Sequence, residues 1–323
     1  MKTLTDVLES SMTSLYESIF DTFDDEGNVT TDSSELIKQD IIDWIKENYR
    51  YYGDIKFDKE KTKDNKYIVN CNNVCVKNKN IKSLTNDLFV WGIVAGNFEC
   101  EDCLSLISLK GAPKEVGKNF NCNCCESLTS LEGAPEAVYE DFRCVDCINL
   151  TSLEGAPKEV GEDFDCRGCE KLTSLEGASE MVLGNFLCKH CDNLISLKGA
   201  PKKANRFSCS WCKKLKSLKG APEKITECFE CICCDSLTSL EGAPKEFDGG
   251  DFYCNNCKNL KTLKGAPKYI KGHFDCSFCP NIKSLEGAPK EVGGYFDCSD
   301  CGVQFTEEDV EKVSNVKRII HCR

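Results

Sequence analysis

The sequence predicts an α/β repeat solenoid with one parallel strand in each 22-residue rung and a short helical cap at each end. Phenylalanine recurs at intervals of 22 residues, with single intervals of 21 and 23. Nine copies open a stretch of the form F-x-C-x-x-C-x-x-L-x-S-L-x-G-A-P, as in "FDCRGCEKLTSLEGA" from Phe164, and the tenth stops after Cys301. A short fixed period repeated this often indicates rungs that bury their apolar faces against one another. The ten anchors are Phe98, Phe120, Phe142, Phe164, Phe186, Phe207, Phe229, Phe252, Phe274 and Phe296.

Two segments precede the repeats. Residues 1–32 are rich in Asp and Glu, and we expect them to form a loose N-terminal segment. Residues 33–73 are expected to form a helical cap, because "SSELIKQDIIDWIKENY" places apolar residues along one helical stripe. The stripe comprises Leu36, Ile41, Ile42, Trp44 and Ile45. A solenoid needs such a cap, since its first rung has no neighbour to cover it.

The solenoid is expected to span residues 74–301. In each rung the Phe and the first Cys are two apart, so both point inward from a strand. The second Cys falls where the strand turns, the two Leu supply further core, and Gly-Ala-Pro reverses the chain. A Val or Ile four residues before the next Phe closes the core on the convex return side, which we expect to be mostly loop and turn. Residues 302–323 are expected to form a C-terminal cap, with a helix starting at Thr306 and a last strand in "RIIHC".

This pattern resembles the leucine-rich repeat. "LTSLEGAPKEV" is similar to the "LTSLPELPxxL" unit of bacterial effectors of the IpaH and YopM type, and the "F…C..LTSL" spacing is similar to BspA-type surface repeats. Two residues separate the second Cys from the Leu, as in cysteine-containing variants. The resemblance covers roughly residues 74 to 301 and implies a bacterial or phage leucine-rich-repeat protein. The start, "MKTLTDVLES" with Leu15-Tyr16-Glu17, resembles capsid-targeting leaders of phage internal proteins and implies association with a virion.

Most of the 26 cysteines occupy the two repeat positions, and three interpretations are open. They can be buried thiol columns, zinc ligands from adjacent Cys-x-x-Cys pairs, or disulfide and redox pairs. We favour the columns, because rungs ~4.8 Å apart fit neither a ~2.3 Å Zn–S tetrahedron nor a relaxed disulfide. The cysteines off the pattern are Cys71, Cys75, Cys124, Cys228, Cys233 and Cys322. Cys228 and Cys233 are expected to face outward, which leaves a local metal or redox site there open.

The positions that vary between rungs are candidates for recognition. They are the residue after each Phe and the residue before each second Cys, which we expect to line the concave face of the sheet. The candidate contacts to a protein or peptide partner are Arg143, Asp165, Leu187, His190, Trp211, Glu230, Tyr253, Asp275 and Phe278. Large aromatic side chains in this set favour a binding role.

Several function classes are not expected. The net charge of −12 and the lack of a basic stripe argue against nucleic acid. No phosphate loop or Ser-His-Asp set is present, so we predict a non-enzymatic protein without a cofactor. No apolar run is long enough to span a membrane, and the start lacks a signal-peptide layout, which favours the cytoplasm or another reducing compartment. The alternatives to partner binding are a structural or virion-associated spacer and a zinc-binding Cys-x-x-Cys array.

Overall fold

The computed structural model describes residues 33–248 and 250–322 and is a β-solenoid of about 12 turns. The rungs are about 22 residues long and the strands are parallel, as the periodicity predicts. There is little helix, so the α/β class expected from the sequence is not confirmed. We number the strands β1 to β24 and the two described helices α1 and α2 along the chain.

One sheet runs the length of the solenoid and is called the front sheet. It contains 14 strands, and each Phe pairs in register with the Phe of the next rung, as Phe142 does with Phe164. Its first strand is antiparallel to the second, and the remaining pairs are parallel. In spatial order the strands are β1 (Tyr49–Tyr52), β4 (Asn73–Val76), β6 (Phe98–Glu99), β8 (Phe120–Asn121), β10 (Phe142–Arg143), β12 (Phe164–Asp165), β14 (Phe186–Leu187), β15 (Lys203–Ser208), β16 (Lys224–Glu230), β18 (Asp251–Tyr253), β20 (Phe274–Asp275), β22 (Phe296–Asp297) and β24 (Ile320–His321), with β17 (Glu246–Phe247) beside β16.

The return side carries two smaller back sheets. Most of it is loop and turn, as expected, but the inward Val or Ile and its preceding residue form two-residue strands that pair from rung to rung. The 7-stranded back sheet contains β2 (Lys56–Lys61), β3 (Tyr67–Cys71), β5 (Phe89–Val94), β7 (Glu115–Val116), β9 (Ala137–Val138), β11 (Glu159–Val160) and β13 (Met181–Val182). The 3-stranded back sheet contains β19 (Tyr269–Ile270), β21 (Glu291–Val292) and β23 (Asn315–Val316).

The core is built from columns of identical side chains. The Phe anchors are fully buried, and neighbouring rings in the column have centroids 5.0 to 5.9 Å apart. The two Leu of each rung, such as Leu172 and Leu175, and both repeat Cys are buried beside them. Because every rung contributes the same shapes at the same spacing, the interior packs without adjustment from rung to rung.

The Gly of each Gly-Ala-Pro turn is required by its backbone conformation and by the close stacking of rungs. Gly155 has a φ of +88°, which side-chain-bearing residues rarely adopt. A Cβ atom there would lie 2.6 Å from backbone atoms of Glu132 in the preceding rung. Any other residue would therefore push adjacent rungs apart.

A short helix lies at each end of the described chain, but the expected helical cap over residues 33–73 is helical only as far as Asn48. Residues 49–71 form β1, β2 and β3 instead, because they pair with β4 and β5 and so extend the sheets of the solenoid. The first helix, α1 (Ser33–Asn48), buries Ile41 and Ile45, and Trp44 packs edge-on against Phe89 at 5.6 Å. Leu36, which the predicted stripe includes, is 64% exposed, and Ile37 packs against the core in its place. The second helix, α2 (Glu307–Glu311), starts at the N-cap Thr306, which forms a capping box with Asp309. The predicted last strand is β24.

Candidate recognition surface

Three columns of side chains cover the outer face of the front sheet. Alternate residues of a strand point to opposite sides, so the residue before each Phe, the residue after it and the third residue after it face outward. We call these the ladder column, the central column and the rim column. A fourth set, the corner column, is the residue immediately before each second Cys.

The central column holds six of the sequence-predicted contacts. Strand pairing brings them side by side, with Ser208 between Leu187 and Glu230. They are Arg143, Asp165, Leu187, Glu230, Tyr253 and Asp275. A recognition surface needs residues that lie next to one another, and these six lie along one face of the front sheet, interrupted only by Ser208.

Most central-column polar groups are already engaged by their own chain. Asp165 accepts hydrogen bonds from the Arg167 guanidinium at 2.7 and 2.8 Å and from the Arg167 backbone N–H at 3.2 Å. Asp275 accepts hydrogen bonds from the Ser277 hydroxyl at 2.6 Å and the Ser277 N–H at 2.9 Å. Arg143 pairs with Asp141 at 2.5 Å. Asp165 and Asp275 thus satisfy backbone N–H groups where the strands end, which is a structural role.

Glu230 is the centre of a buried charged cluster. Its carboxylate is paired with Lys189 at 2.7 Å, accepts a hydrogen bond from the Ser208 hydroxyl at 2.8 Å and pairs with Arg206. Burial raises the pKa of Glu230, but the hydrogen bonds from Lys189, Arg206 and Ser208 outweigh it, so the pKa lies below its usual value. The cluster therefore holds one charged carboxylate against two cations.

Cys228 lies inside this cluster. It was expected to face solvent, but it does not. It is buried, and its Sγ atom is 3.7 Å from Glu230 Oε1. Burial, followed by the negative charge of Glu230, raises the pKa of Cys228 to about 12. A thiol with a pKa this high stays protonated and is a poor nucleophile at neutral pH. The other expected outward thiol, Cys233, is half-buried in the corner column.

The ladder column is a feature that the sequence interpretation missed. In most rungs its side chain accepts a hydrogen bond from the ladder backbone N–H of the next rung, at 2.8 to 3.2 Å. The run passes from Asn97 through Asn119, Asp141, Asp163 and Asn185 to Arg206, and resumes from Asp251 through His273 to Tyr295. The sequence contains a pattern that indicates this column, because Asn or Asp precedes the Phe in most copies.

The corner column differs from its predicted position. Its residues have φ between +51° and +72°, in the left-handed region, so they end the strand and do not lie within it. His190, Trp211 and Phe278 therefore stand on a ridge beside the front sheet. Asp, Asn and Gly tolerate this conformation and occupy half of the corners.

Two bulky aromatic residues occupy this column and remain exposed. Trp211 has a φ of +66° and is 43% exposed, and Phe278 has a φ of +54° and is 52% exposed. His190 stacks on Trp211, with ring centroids 5.4 Å apart. A groove of about 510 Å³ runs along the ridge from Trp211 past Cys233, Asn256 and Phe278 to Asp300. Two of the sequence-predicted aromatics, Trp211 and Phe278, thus flank one groove, whereas Tyr253 lies in the central column and does not line it.

The second Cys of each rung, which directly follows the corner column and which we call the corner thiol, has a clear structural role. The Cys169 thiol donates a hydrogen bond to the backbone carbonyl of Cys144, the strand Cys of the preceding rung, at 3.2 Å. No backbone N–H among the described residues donates to that carbonyl. The same contact recurs from Cys125 to Cys301 at 3.1 to 3.4 Å. The corner thiols therefore satisfy carbonyls at the point where the strand ladder stops.

The remaining cysteine observations concern metal and redox chemistry. Within residues 33–248 and 250–322, no three His, Cys, Asp or Glu side chains are grouped to hold a metal ion. The cysteines are free thiols. Cys322 continues the strand-Cys column despite its irregular spacing, since Asp297 pairs with His321 and the Sγ atoms of Cys298 and Cys322 lie 3.5 Å apart.

A wider cavity lies on the return side. It measures about 1010 Å³ and is lined by Phe247, Tyr269 and three lysines, Lys245, Lys268 and Lys271, among others. It occupies the break between the two back sheets, where the chain has one extra residue. None of the sequence-predicted contacts lines it.

Comparison with known proteins finds no matching family model, curated protein or solved structure. The resemblance of the first residues to capsid-targeting leaders falls outside the described residues. No helix in the described part of the chain has the length and apolar character needed to cross a membrane. Function is therefore inferred from this chain's own side chains.

Proposed function

We propose that this protein is a non-enzymatic binding module that recognises a protein or peptide partner through the front sheet and its corner ridge. The observation that supports it is the placement of Trp211 and Phe278. A bulky residue in the left-handed region costs about 1 kcal/mol, and an exposed aromatic ring gains nothing from the core in return. Binding energy from a partner is the compensation that this arrangement favours.

The residues of the predicted contact set differ in how free their side chains are to contact a partner. Asp165, Glu230 and Asp275 are committed to intramolecular bonds, so they shape the surface without offering free groups. His190, Trp211 and Phe278 project from the ridge and are exposed. We propose that these three supply most of the binding energy and that Arg143, Leu187 and Tyr253 contribute contacts at the margin.

We keep the leucine-rich-repeat assignment as a proposal. It is supported by a parallel front-sheet strand in each rung from Phe98 to Phe296, by two inward Leu in the rungs from Phe98 to Phe252, and by little helix on the return side. We also propose a reducing compartment, because the described chain buries most of its many free thiols without pairing them. Virion association is a further proposal, which rests on the N-terminal resemblance alone.

The test is capture of a partner by chemical cross-linking to the purified full chain. Trp211→Asn and Phe278→Asn keep a residue that tolerates the left-handed corner, so the fold is retained. Asp146→Asn, at a corner outside the groove, is the matched control. We expect the two aromatic variants, and not the control, to lose the captured partner. Equal capture by all four proteins would contradict the proposal and favour a spacer role.

A further inference from the structure

We infer that the groove between Trp211 and Phe278 binds an extended polypeptide segment with two apolar side chains four residues apart and a basic residue two positions further on. The inference rests on the proposed function and names the kind of segment that its corner ridge accepts. Three observations carry it: the spacing of the aromatic rings, the free side-chain amide of Asn256 between them and the unpaired charge at one end.

The spacing favours an extended chain. Consecutive corners are joined by backbone hydrogen bonds, from Trp211 N–H to Ile232, from Cys233 N–H to Asn255 and from Asn256 N–H to Ser277. Three steps of ~4.8 Å place the Trp211 and Phe278 backbones about 14 Å apart. In an extended strand, residues four apart are separated by about 13.6 Å and point to the same side.

A helical partner does not match this spacing. A rise of ~1.5 Å per residue requires about nine residues to cover the same distance, and nine residues turn the helix by about 900°, which points the second side chain away. A single helix therefore cannot present two side chains to both rings. An extended segment can, with one apolar side chain on Trp211 and one on Phe278.

The floor of the groove suits a peptide backbone. Asn256 lies between the rings and is half-buried, and its side-chain amide has no hydrogen-bond partner among the described residues. A free amide offers one acceptor and two donors, which match the C=O and N–H groups of an extended chain. It stands about 10 Å from Trp211 and about 5 Å from Phe278, opposite the inner part of the proposed segment and nearer its second apolar residue.

The charge of the groove selects a basic residue. Lys213 is paired with Asp192 and Lys258 with Asp235, each at 2.8 Å, so these ions neutralise one another. Asp300, one rung beyond Phe278, is exposed and has no ion-pair partner in the described chain. A Lys or Arg two positions beyond the second apolar residue lies on the same side of the segment and reaches Asp300.

The experiment is fluorescence polarisation with the full-length protein and labelled synthetic peptides. The test peptide carries leucines four residues apart, a lysine two residues further on, and serine or glutamine elsewhere. The control peptide has the same composition with the leucines three apart, which points them to opposite sides. A third peptide replaces the lysine with serine, and a fourth is a stapled helix with two leucines.

We expect the test peptide to bind at least about tenfold more tightly than the control peptide. Trp211→Asn should weaken it about tenfold, and Asp300→Asn about threefold, with no effect of Asp300→Asn on the peptide that lacks lysine. Asp146→Asn should change nothing. Equal binding of test and control peptides, tighter binding of the helix, or no binding to any of them would overturn the inference. If the peptides fail while cross-linked capture still depends on Trp211, the proposed function stands and only this inference falls.

Discussion

The rungs from Phe98 to Phe186 and the rungs around β15 and β16 share one core but differ on the surface. In the first region each rung turns between the back sheet and the front sheet, and the ladder column runs unbroken through Asn119, Asp141 and Asp163. In the second region the chain passes through continuous strands, Lys203–Ser208 and Lys224–Glu230. Arg206 and Cys228 occupy the ladder positions there, and the Glu230 cluster lies over them.

The difference separates what the fold requires from what it tolerates. The Phe, Leu and Cys columns continue through both regions with the same burial and the same stacking. The core columns therefore already fix the register of the rungs, and the ladder hydrogen bonds add to the stability of that arrangement. Where the ladder is interrupted, charged side chains from several rungs fill the outer face.

The largest expected effect falls on the second region. Glu230→Gln leaves Arg206 and Lys189 without a carboxylate, and breaking a fully buried pair costs about 3–5 kcal/mol. Arg206 is 44% exposed, so we expect a smaller loss of about 2–3 kcal/mol in the free energy of unfolding. Urea unfolding is the measurement. Asp141→Asn, which breaks the pair with Arg143 in the first region, should cost below about 1 kcal/mol, and equal losses would contradict the comparison.

The same cluster gives a pH dependence with a defined sign. The pKa of Glu230 is lowered in the folded state, so its contribution is present above the unfolded pKa of ~4.3. It is lost as the pH falls through the lower folded pKa, because the unfolded state then binds more protons. The difference in Tm between the wild-type protein and Glu230→Gln should shrink as the pH is lowered from 7 to about 3. A constant difference would argue that the carboxylate is not charged.

The ladder hydrogen bond should contribute to the free energy of unfolding only in the rungs where it forms. Asn119→Ala removes the acceptor of the Asp141 N–H, and an unsatisfied N–H costs about 1–2 kcal/mol. Cys228 occupies the same column but accepts no such bond, so Cys228→Ala should cost less. Hydrogen exchange of the Asp141 amide, which should accelerate in Asn119→Ala, checks the cause. Similar losses for both variants would mean that packing, and not the ladder, sets the effect.

The corner thiols should behave alike in both regions. Cys169→Ala and Cys212→Ala each remove a hydrogen bond to a carbonyl of the preceding rung, and we expect losses of about 1 kcal/mol, equal within error. The serine variants should recover part of the loss. Because the thiols serve as hydrogen-bond donors, a zinc chelator should leave Tm unchanged. A chelator-induced fall in Tm, with zinc found by native mass spectrometry, would support the zinc-array alternative.

The smallest expected effect has the opposite sign. Phe278→Asn relieves a disfavoured φ of +54° and should stabilise the protein by about 0.5–1 kcal/mol. Asp146→Asn exchanges two residues that tolerate the same conformation, so its stability should not change. Thermal unfolding of both variants is the measurement. Destabilisation by Phe278→Asn would show that the ring packs usefully on its neighbours, and would weaken the binding proposal.

The sequence predicts the solenoid because its strongest signals are local and repeated. Phe, Leu, Gly and both Cys recur with one period, and periodicity states which residues share a face. Periodicity does not determine the backbone angle φ. The corner column, with residues as different as Asp102 and Trp211, was therefore expected to lie within the strand. The Glu230 cluster was hidden for another reason, since Lys189, Arg206 and Glu230 are separated in sequence and meet only through inter-rung register.

The corner thiol bond and the ladder bond both join residues of adjacent rungs, 22 to 25 positions apart in the first region. A deletion or duplication of one whole unit between Phe120 and Phe164 would leave each new neighbour with the same Phe, Leu, second-Cys and ladder contacts. Recombination within the gene can therefore change the length of this protein without a new fold. The stretch from Lys189 to Glu230 is an exception, because its ions come from three different units, so length variants should cluster outside it.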